Sequence, residues 1–138
     1  MVSHTTTLRV RYADTDQMGI VYYAKYLEYF EVARTELLRE LGLPYRTLEE
    51  SGFALPVSEA TIKYIKGATY DDELLITASL TPQNSPRLEI SYVIERSSDN
   101  QKIVEGTTTL VFTAKDSGRP VRPPEHYLKA VTSALVNG

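Results

Sequence analysis

Two aspartates two residues apart, Asp14 and Asp16, followed by Gly19 and the pair Tyr22 and Tyr23, form the densest set of chemically useful groups in this 138-residue chain. A carboxylate can take a proton from water or attack an electrophile itself. The run that carries them, Val10 to Gly42 (VRYADTDQMGIVYYAKYLEYFEVARTELLRELG), reads as a strand end, a polar turn and a long helix. An acid just ahead of a helix N-terminus shares that place with unbonded N–H groups and the positive end of the helix dipole, which favour developing negative charge. The same position suits a plain helix cap or an Asx turn, so residue type alone leaves both roles open for Asp16. Asp14 reads as a loop-ordering residue that binds backbone N–H groups. Glu28 and Glu31 are the alternative carboxylates, the latter with a structural partner in Arg34 three residues on.

The helix that must position this turn has apolar residues at Tyr23, Tyr26, Leu27, Phe30, Ala33, Leu37, Leu38 and Leu41, the spacing of one face, and stops at Gly42. At about 1.5 Å per residue it would be roughly 28 Å long, enough to form the axis of a core. Tyr22, Tyr29 and Val32 fall outside that stripe, and one strip should reach solvent or a second subunit. Ahead of it, Thr5 to Tyr12 is a strand candidate with Leu8, Val10 and Tyr12 on one face and Arg9 and Arg11 on the other.

Beyond the helix, Tyr45 to Glu50 reads as a short helical turn closed by Ser51 and Gly52. Four strand candidates follow: Phe53 to Tyr64, Glu73 to Leu80, Leu88 to Arg96 and Lys102 to Thr113, separated by turn signals at Lys66-Gly67, Pro82 to Pro86, and Ser97 to Asn100. The Ser98-Asp99-Asn100 turn predicts a hairpin and so an antiparallel sheet, expected as a meander. His126 to Val136, with Leu128, Val131 and Leu135 at helical spacing, predicts a terminal helix. One strand, one long helix and four strands give an α+β layout in which an antiparallel sheet of about five strands wraps one central helix, a single domain over residues 1–138.

Composition removes several function classes. A net charge of −3 argues against a nucleic-acid partner. With no cysteine, and with His4 and His126 far apart near the termini, no metal-ligand spacing is present and no cofactor is implied. Met1 to Leu8 lacks the basic start and apolar run of a signal peptide, and no apolar stretch approaches membrane-spanning length, so a cytoplasmic protein with no membrane partner is expected. The chain has ten tyrosines against three phenylalanines and no tryptophan, and four of them, Tyr22, Tyr23, Tyr26 and Tyr29, crowd the head of the helix. Such residues pack in cores and interfaces, and some could line an acyl or aryl pocket.

The segment Tyr12-Ala-Asp14-Thr-Asp16-Gln-Met-Gly19-Ile-Val21-Tyr-Tyr23, followed by Tyr26 and Glu31-Val-Ala-Arg34, resembles the acyl-CoA thioesterases of the 4-hydroxybenzoyl-CoA thioesterase family, which have the hotdog fold. A second recurring segment of that family is matched by Tyr64-Ile-Lys-Gly-Ala68-Thr-Tyr70-Asp71-Asp72-Glu-Leu74, and the likeness extends from Thr6 to about Ala114. The resemblance implies that Asp16 is the catalytic aspartate and that Gly19 to Tyr23, including Val21, form the substrate loop, with the Tyr23 backbone amide polarising the thioester carbonyl. It also implies homodimers joined sheet edge to sheet edge, often paired as homotetramers, with the site at the interface. Many bacterial members carry a histidine where this chain has Ala24, so a side-chain helper is missing here. Tyr26 is a candidate for the acyl pocket, and Lys63, Lys66 and Arg87 for the phosphates of coenzyme A, which need positive charge. The alternatives are hydrolysis of acyl chains on acyl carrier protein, which would require a basic docking surface, and a non-catalytic hotdog dimer.

Overall fold

The structure, a computed structural model, describes residues 1–83 and 85–137. Its elements are β1 (Val2–Arg9), a 3-10 turn (Tyr12–Asp14), α1 (Lys25–Glu40), α2 (Tyr45–Glu50), β2 (Phe53–Ala54), β3 (Val57–Tyr64), β4 (Glu73–Leu80), β5 (Arg87–Arg96), β6 (Lys102–Val111), β7 (Thr113–Ala114) and α3 (Glu125–Asn137). Five strands form one antiparallel sheet in the order β1-β4-β5-β6-β3, with a β2–β7 ribbon beside it. The expected α+β layout and central helix are present. The meander holds for β4, β5 and β6, but β3 crosses to the far edge beside β6 because its partner register runs Ala60 to Thr108 and Tyr64 to Val104. The Pro82–Pro86 turn includes residue 84, which lies outside the described residues.

Alternation builds the sheet's inner face. Leu74, Ile76, Ala78 and Leu80 on β4 and Leu88, Ile90, Tyr92 and Ile94 on β5 are all buried, at the two-residue period of a strand with one face on the core. Helix α1 lies across them and sets Phe30 flat on Tyr92, ring centroids 4.2 Å apart and 7° from parallel. Gly106 on β6 makes that approach possible: a Cβ there would stand 2.3 Å from the Thr61 carbonyl oxygen and 2.8 Å from Phe30 Cε2. The helix ends as expected at Gly42, whose φ of +76° favours glycine, with Leu43 N–H bonded to the Leu38 carbonyl and Gly42 N–H to that of Arg39.

Several expectations need correction. The helix starts at Lys25, and Tyr23 is 61% exposed in the turn ahead of it, whereas Tyr29, placed outside the stripe, is buried. The chain leaves β1 at Arg9, so Tyr12 sits in the 3-10 turn, 78% exposed, and does not share a strand face with Leu8 and Val10. Leu55 and Pro56 divide Phe53 to Tyr64, and Phe112 divides Lys102 to Thr113. Among the described side chains of α3, Tyr127, packed on Phe112 at 4.9 Å, and Val131 are buried, while Leu135 is exposed. His4 is half-buried on β1 and His126 is exposed.

Candidate active site

The loop between β1 and α1 folds back on itself as a small hairpin. Asp16 N–H bonds to the Ile20 carbonyl at 3.0 Å, and Gly19 N–H returns to the Asp16 carbonyl at 2.9 Å. A bridge pairs Thr15 with Val21, and Gly19 adopts φ +82°, which is why glycine ends the turn. Asp16 Oδ1 accepts Met18 N–H at 2.9 Å, so its Asx-turn role is real; the helix cap position belongs to Ala24. Its second carboxylate oxygen accepts no hydrogen bond among the described residues.

Asp14 behaves differently. It is 2% exposed, and its carboxylate accepts the Tyr29 hydroxyl at 2.8 Å, Arg11 Nη2 at 2.9 Å and Arg11 N–H at 3.2 Å, with Lys25 Nζ at 3.9 Å. Burial works to raise its pKa, but the Arg11 guanidinium and the Tyr29 hydroxyl outweigh burial and hold it below the usual carboxylate range. Burial, and then the hydrogen bond to Asp14, push the Tyr29 phenol upward. The Asp14 carbonyl accepts Tyr22 N–H at 2.8 Å, so the residue fastens both the helix and the tyrosine pair to the loop.

Tyr22 and Tyr23 complete the turn into α1. The Tyr22 carbonyl accepts Lys25 N–H at 2.9 Å, and the Tyr23 carbonyl accepts the Tyr64 hydroxyl at 3.0 Å. No hydrogen bond engages the Tyr23 N–H among the described residues. Both peptides are thus held from their carbonyl side, leaving N–H groups at the helix head available.

An open groove of about 280 Å³ lies between this hairpin and the exit of β3. It gathers Asp16, Val21, Tyr23, Tyr26 and Lys66 from the candidates, with Gly19 in the adjoining turn. It also takes in Ile20 of the Gly19 to Tyr23 loop, together with Met18, Tyr64, Ile65 and Gly67, which had no assigned role. Tyr64 is the informative omission: its ring stands 6.5 Å from Tyr23 and 5.8 Å from Tyr26, and an aromatic residue at a strand end just before Lys66-Gly67 was the available signal. Gly67 permits the walls to close, since a Cβ there would lie 2.8 Å from Ile20 Cγ2.

The other candidates lie elsewhere. Lys63 faces the outer side of the sheet, across from Glu105, and Arg87 pairs with Glu89 at 3.6 Å on that same outer side. Glu28 pairs with Lys25 at 3.1 Å. Glu31 and Arg34 line a different cavity and form no ion pair with each other. Arg34 instead donates to the Tyr92 hydroxyl at 3.1 Å. Among the described residues no cluster of acidic or histidine side chains could hold a metal, and no helix is long and apolar enough to cross a membrane.

A family model described as the Thioesterase-like superfamily matches residues 10–131. The chain belongs to that superfamily. The hotdog fold of its structural neighbours is the one observed, and relatives named as acyl-CoA thioesterases and thioester hydrolases mark the chain as a thioester hydrolase. It is 33% identical over 108 residues, 78% of this chain and 74% of the other, to the acyl-CoA thioester hydrolase YbgC of Escherichia coli. Among solved structures it is similar to the DHNA-CoA thioesterase of Staphylococcus aureus, at 26% identity and a TM-score of 0.91 over 99% of this chain and 93% of that one. It is also similar to 4-hydroxybenzoyl-CoA thioesterase of Pseudomonas sp. strain CBS-3, at 25% identity and a TM-score of 0.86 over 94% and 99%.

Proposed function

We propose that this hydrolase cleaves acyl- or aryl-CoA thioesters with Asp16 as general base and the Tyr23 N–H as oxyanion donor. The observation that supports it is the joint placement of a carboxylate with an unengaged oxygen and an unengaged helix-head N–H on one groove. Water attacks the carbonyl carbon and gives its proton to Asp16. The C–O⁻ that forms is held at the Tyr23 amide, and its collapse breaks the C–S bond, the proton returning from Asp16 to the departing thiolate. Lys66, at the groove mouth, offers the charge for coenzyme A phosphates.

The functional unit in this reading is a homodimer, and dimers can pair further. Strand β3 is exposed on both faces along most of its length and has no partner on its outer edge among the described residues, a liability unless a second copy pairs there. The test is a hydrolysis screen over short, medium, long and aromatic acyl-CoA substrates, with acyl carrier protein thioesters alongside and free thiol as readout. Turnover of at least one acyl-CoA class is expected; release from carrier protein alone, or from nothing, overturns the assignment.

A further inference from the structure

The Tyr23 carbonyl lies just ahead of the cap residue of α1, where backbone bonding departs from the helical pattern. A regular helix would send the Leu27 N–H to it, but that N–H goes to the Ala24 carbonyl at 3.2 Å. Its donor comes from the sheet instead: the Tyr64 hydroxyl, at 3.0 Å, is the one donor to this carbonyl among the described residues. Tyr64 is half-exposed, and its ring alone could line the groove as phenylalanine would. What the tyrosine adds is this hydrogen bond.

The bond falls on a peptide that nothing else holds. Tyr22 to Lys25 form a turn closed by the Lys25 N–H on the Tyr22 carbonyl at 2.9 Å, and the Tyr23–Ala24 peptide is its centre. The closing bond of such a turn leaves the central peptide able to rotate about the dihedrals on either side of it. Rotation there tilts Tyr23 and with it the direction of its N–H. The Tyr64 grip prevents this, and it comes from a firm base. Tyr64 pairs with Val104 at the end of β3, and the next two N–H groups, of Ile65 and Lys66, both bond to the Ile103 carbonyl, at 2.9 and 3.1 Å. The same segment holds the loop a second time through the Val21 N–H on the Ala68 carbonyl at 2.9 Å.

We infer that Tyr64 is a positioning residue for thioester hydrolysis: its hydroxyl locks the Tyr23–Ala24 peptide to the end of β3 and so aims the Tyr23 N–H at the developing oxyanion. This rests on the oxyanion role proposed above for that N–H. Tyr64 exchanges no proton with substrate and acts only through the backbone it holds. A donor aimed in advance stabilises the transition state without reorganising during the reaction, and a small misplacement forfeits much of that gain.

The test is steady-state kinetics of the full chain on its best acyl-CoA substrate, with thermal melts and mass measurement alongside. Tyr64→Phe keeps the ring and removes the hydroxyl. Its kcat should fall about 10–100-fold with KM within about threefold of wild type, because a misdirected donor is missed in the transition state and not in binding. Melting temperature and mass should stay at the wild-type values. Tyr64→para-aminophenylalanine, whose amine can donate to the same carbonyl, should recover kcat to within about fivefold of wild type. The NMR resonance of the Tyr23 carbonyl carbon gives a readout that needs no turnover: it should move upfield in Tyr64→Phe and return with the amine. An unmoved resonance overturns the inference, as does a Tyr64→Phe enzyme that keeps more than half of kcat or loses activity through KM alone. So does a failure of the amine to restore kcat. If Asp16→Asn has lost its activity while Tyr64→Phe has not, the positioning role falls and the role of Asp16 stands; if neither loses activity, both fall. If Tyr64→Phe proves unstable, the amine variant and the carbonyl resonance decide, and an amine variant that is folded but as slow as Tyr64→Phe overturns the inference.

Discussion

Asp14 and Asp16 are separated by one threonine, yet the chain treats them as opposites. Asp14 is sealed against Arg11, Tyr29 and the Arg11 N–H, its charge shared by every group around it. Asp16 spends one oxygen on its own turn, its other oxygen accepts no hydrogen bond among the described residues, and the residue lines an open groove. A carboxylate whose bonds are all made stabilises a fold, and one with an unengaged oxygen can exchange a proton. The difference arises from the turn: Asp14 ends the 3-10 turn pointing under α1, and the Asp16–Gly19 hairpin then lifts the second acid away from the core.

The contrast can be scaled against a core truncation. Phe30→Ala removes the ring stacked on Tyr92 and should cost about 3–5 kcal/mol in a urea titration, with a loss under ~1 kcal/mol contradicting the central position of α1. Asp14→Ala should come next, at about 2–4 kcal/mol, because it strands the buried Tyr29 hydroxyl and frees the loop from the helix. Tyr29→Phe, which deletes only that hydroxyl, should cost roughly 1.5–3 kcal/mol, and a neutral result would mean that Asp14 is held by Arg11 alone.

The smallest effect is a pH dependence with a definite sign. The folded pKa of Asp14 is lowered, so its contribution is full above the unfolded carboxyl value of about 3.9 and is lost as pH falls through the folded value. The stability gap between wild type and Asp14→Ala should therefore narrow as pH drops from about 5 toward 2. A gap that widens with acid would reverse the assignment of Asp14 as a charge-stabilised anchor.

Periodicity exposed the elements that bury one face. Glu73 to Leu80 was legible to the residue, and burial alternates along all of it even though Leu75 interrupts the alternation of apolar and polar side chains. It failed where aromatic residues serve two purposes: Tyr23 has helical spacing but stands in the turn, and Tyr29 lies off the stripe yet is buried through its bond to Asp14. Sheet order was hidden because nothing in β3 announces that it will pair with β6 rather than β4. The groove was half legible. Asp16, Val21, Tyr23 and Tyr26 are neighbours in sequence, whereas Tyr64 and Gly67 join them only through the crossing of β3, a contact between positions some forty residues apart.

Asp16→Asn is the most direct test of the catalytic proposal, because asparagine keeps the Asx turn to Met18 and removes only the charge. Steady-state kinetics on the best acyl-CoA substrate, run beside a denaturant titration, separates the two roles. Catalysis by Asp16 requires kcat to fall on the order of 10²–10⁴ with KM changed far less and stability within about 0.5 kcal/mol of wild type. An Asn variant that retains more than about half of kcat would remove Asp16 from the chemistry and leave it as a turn residue.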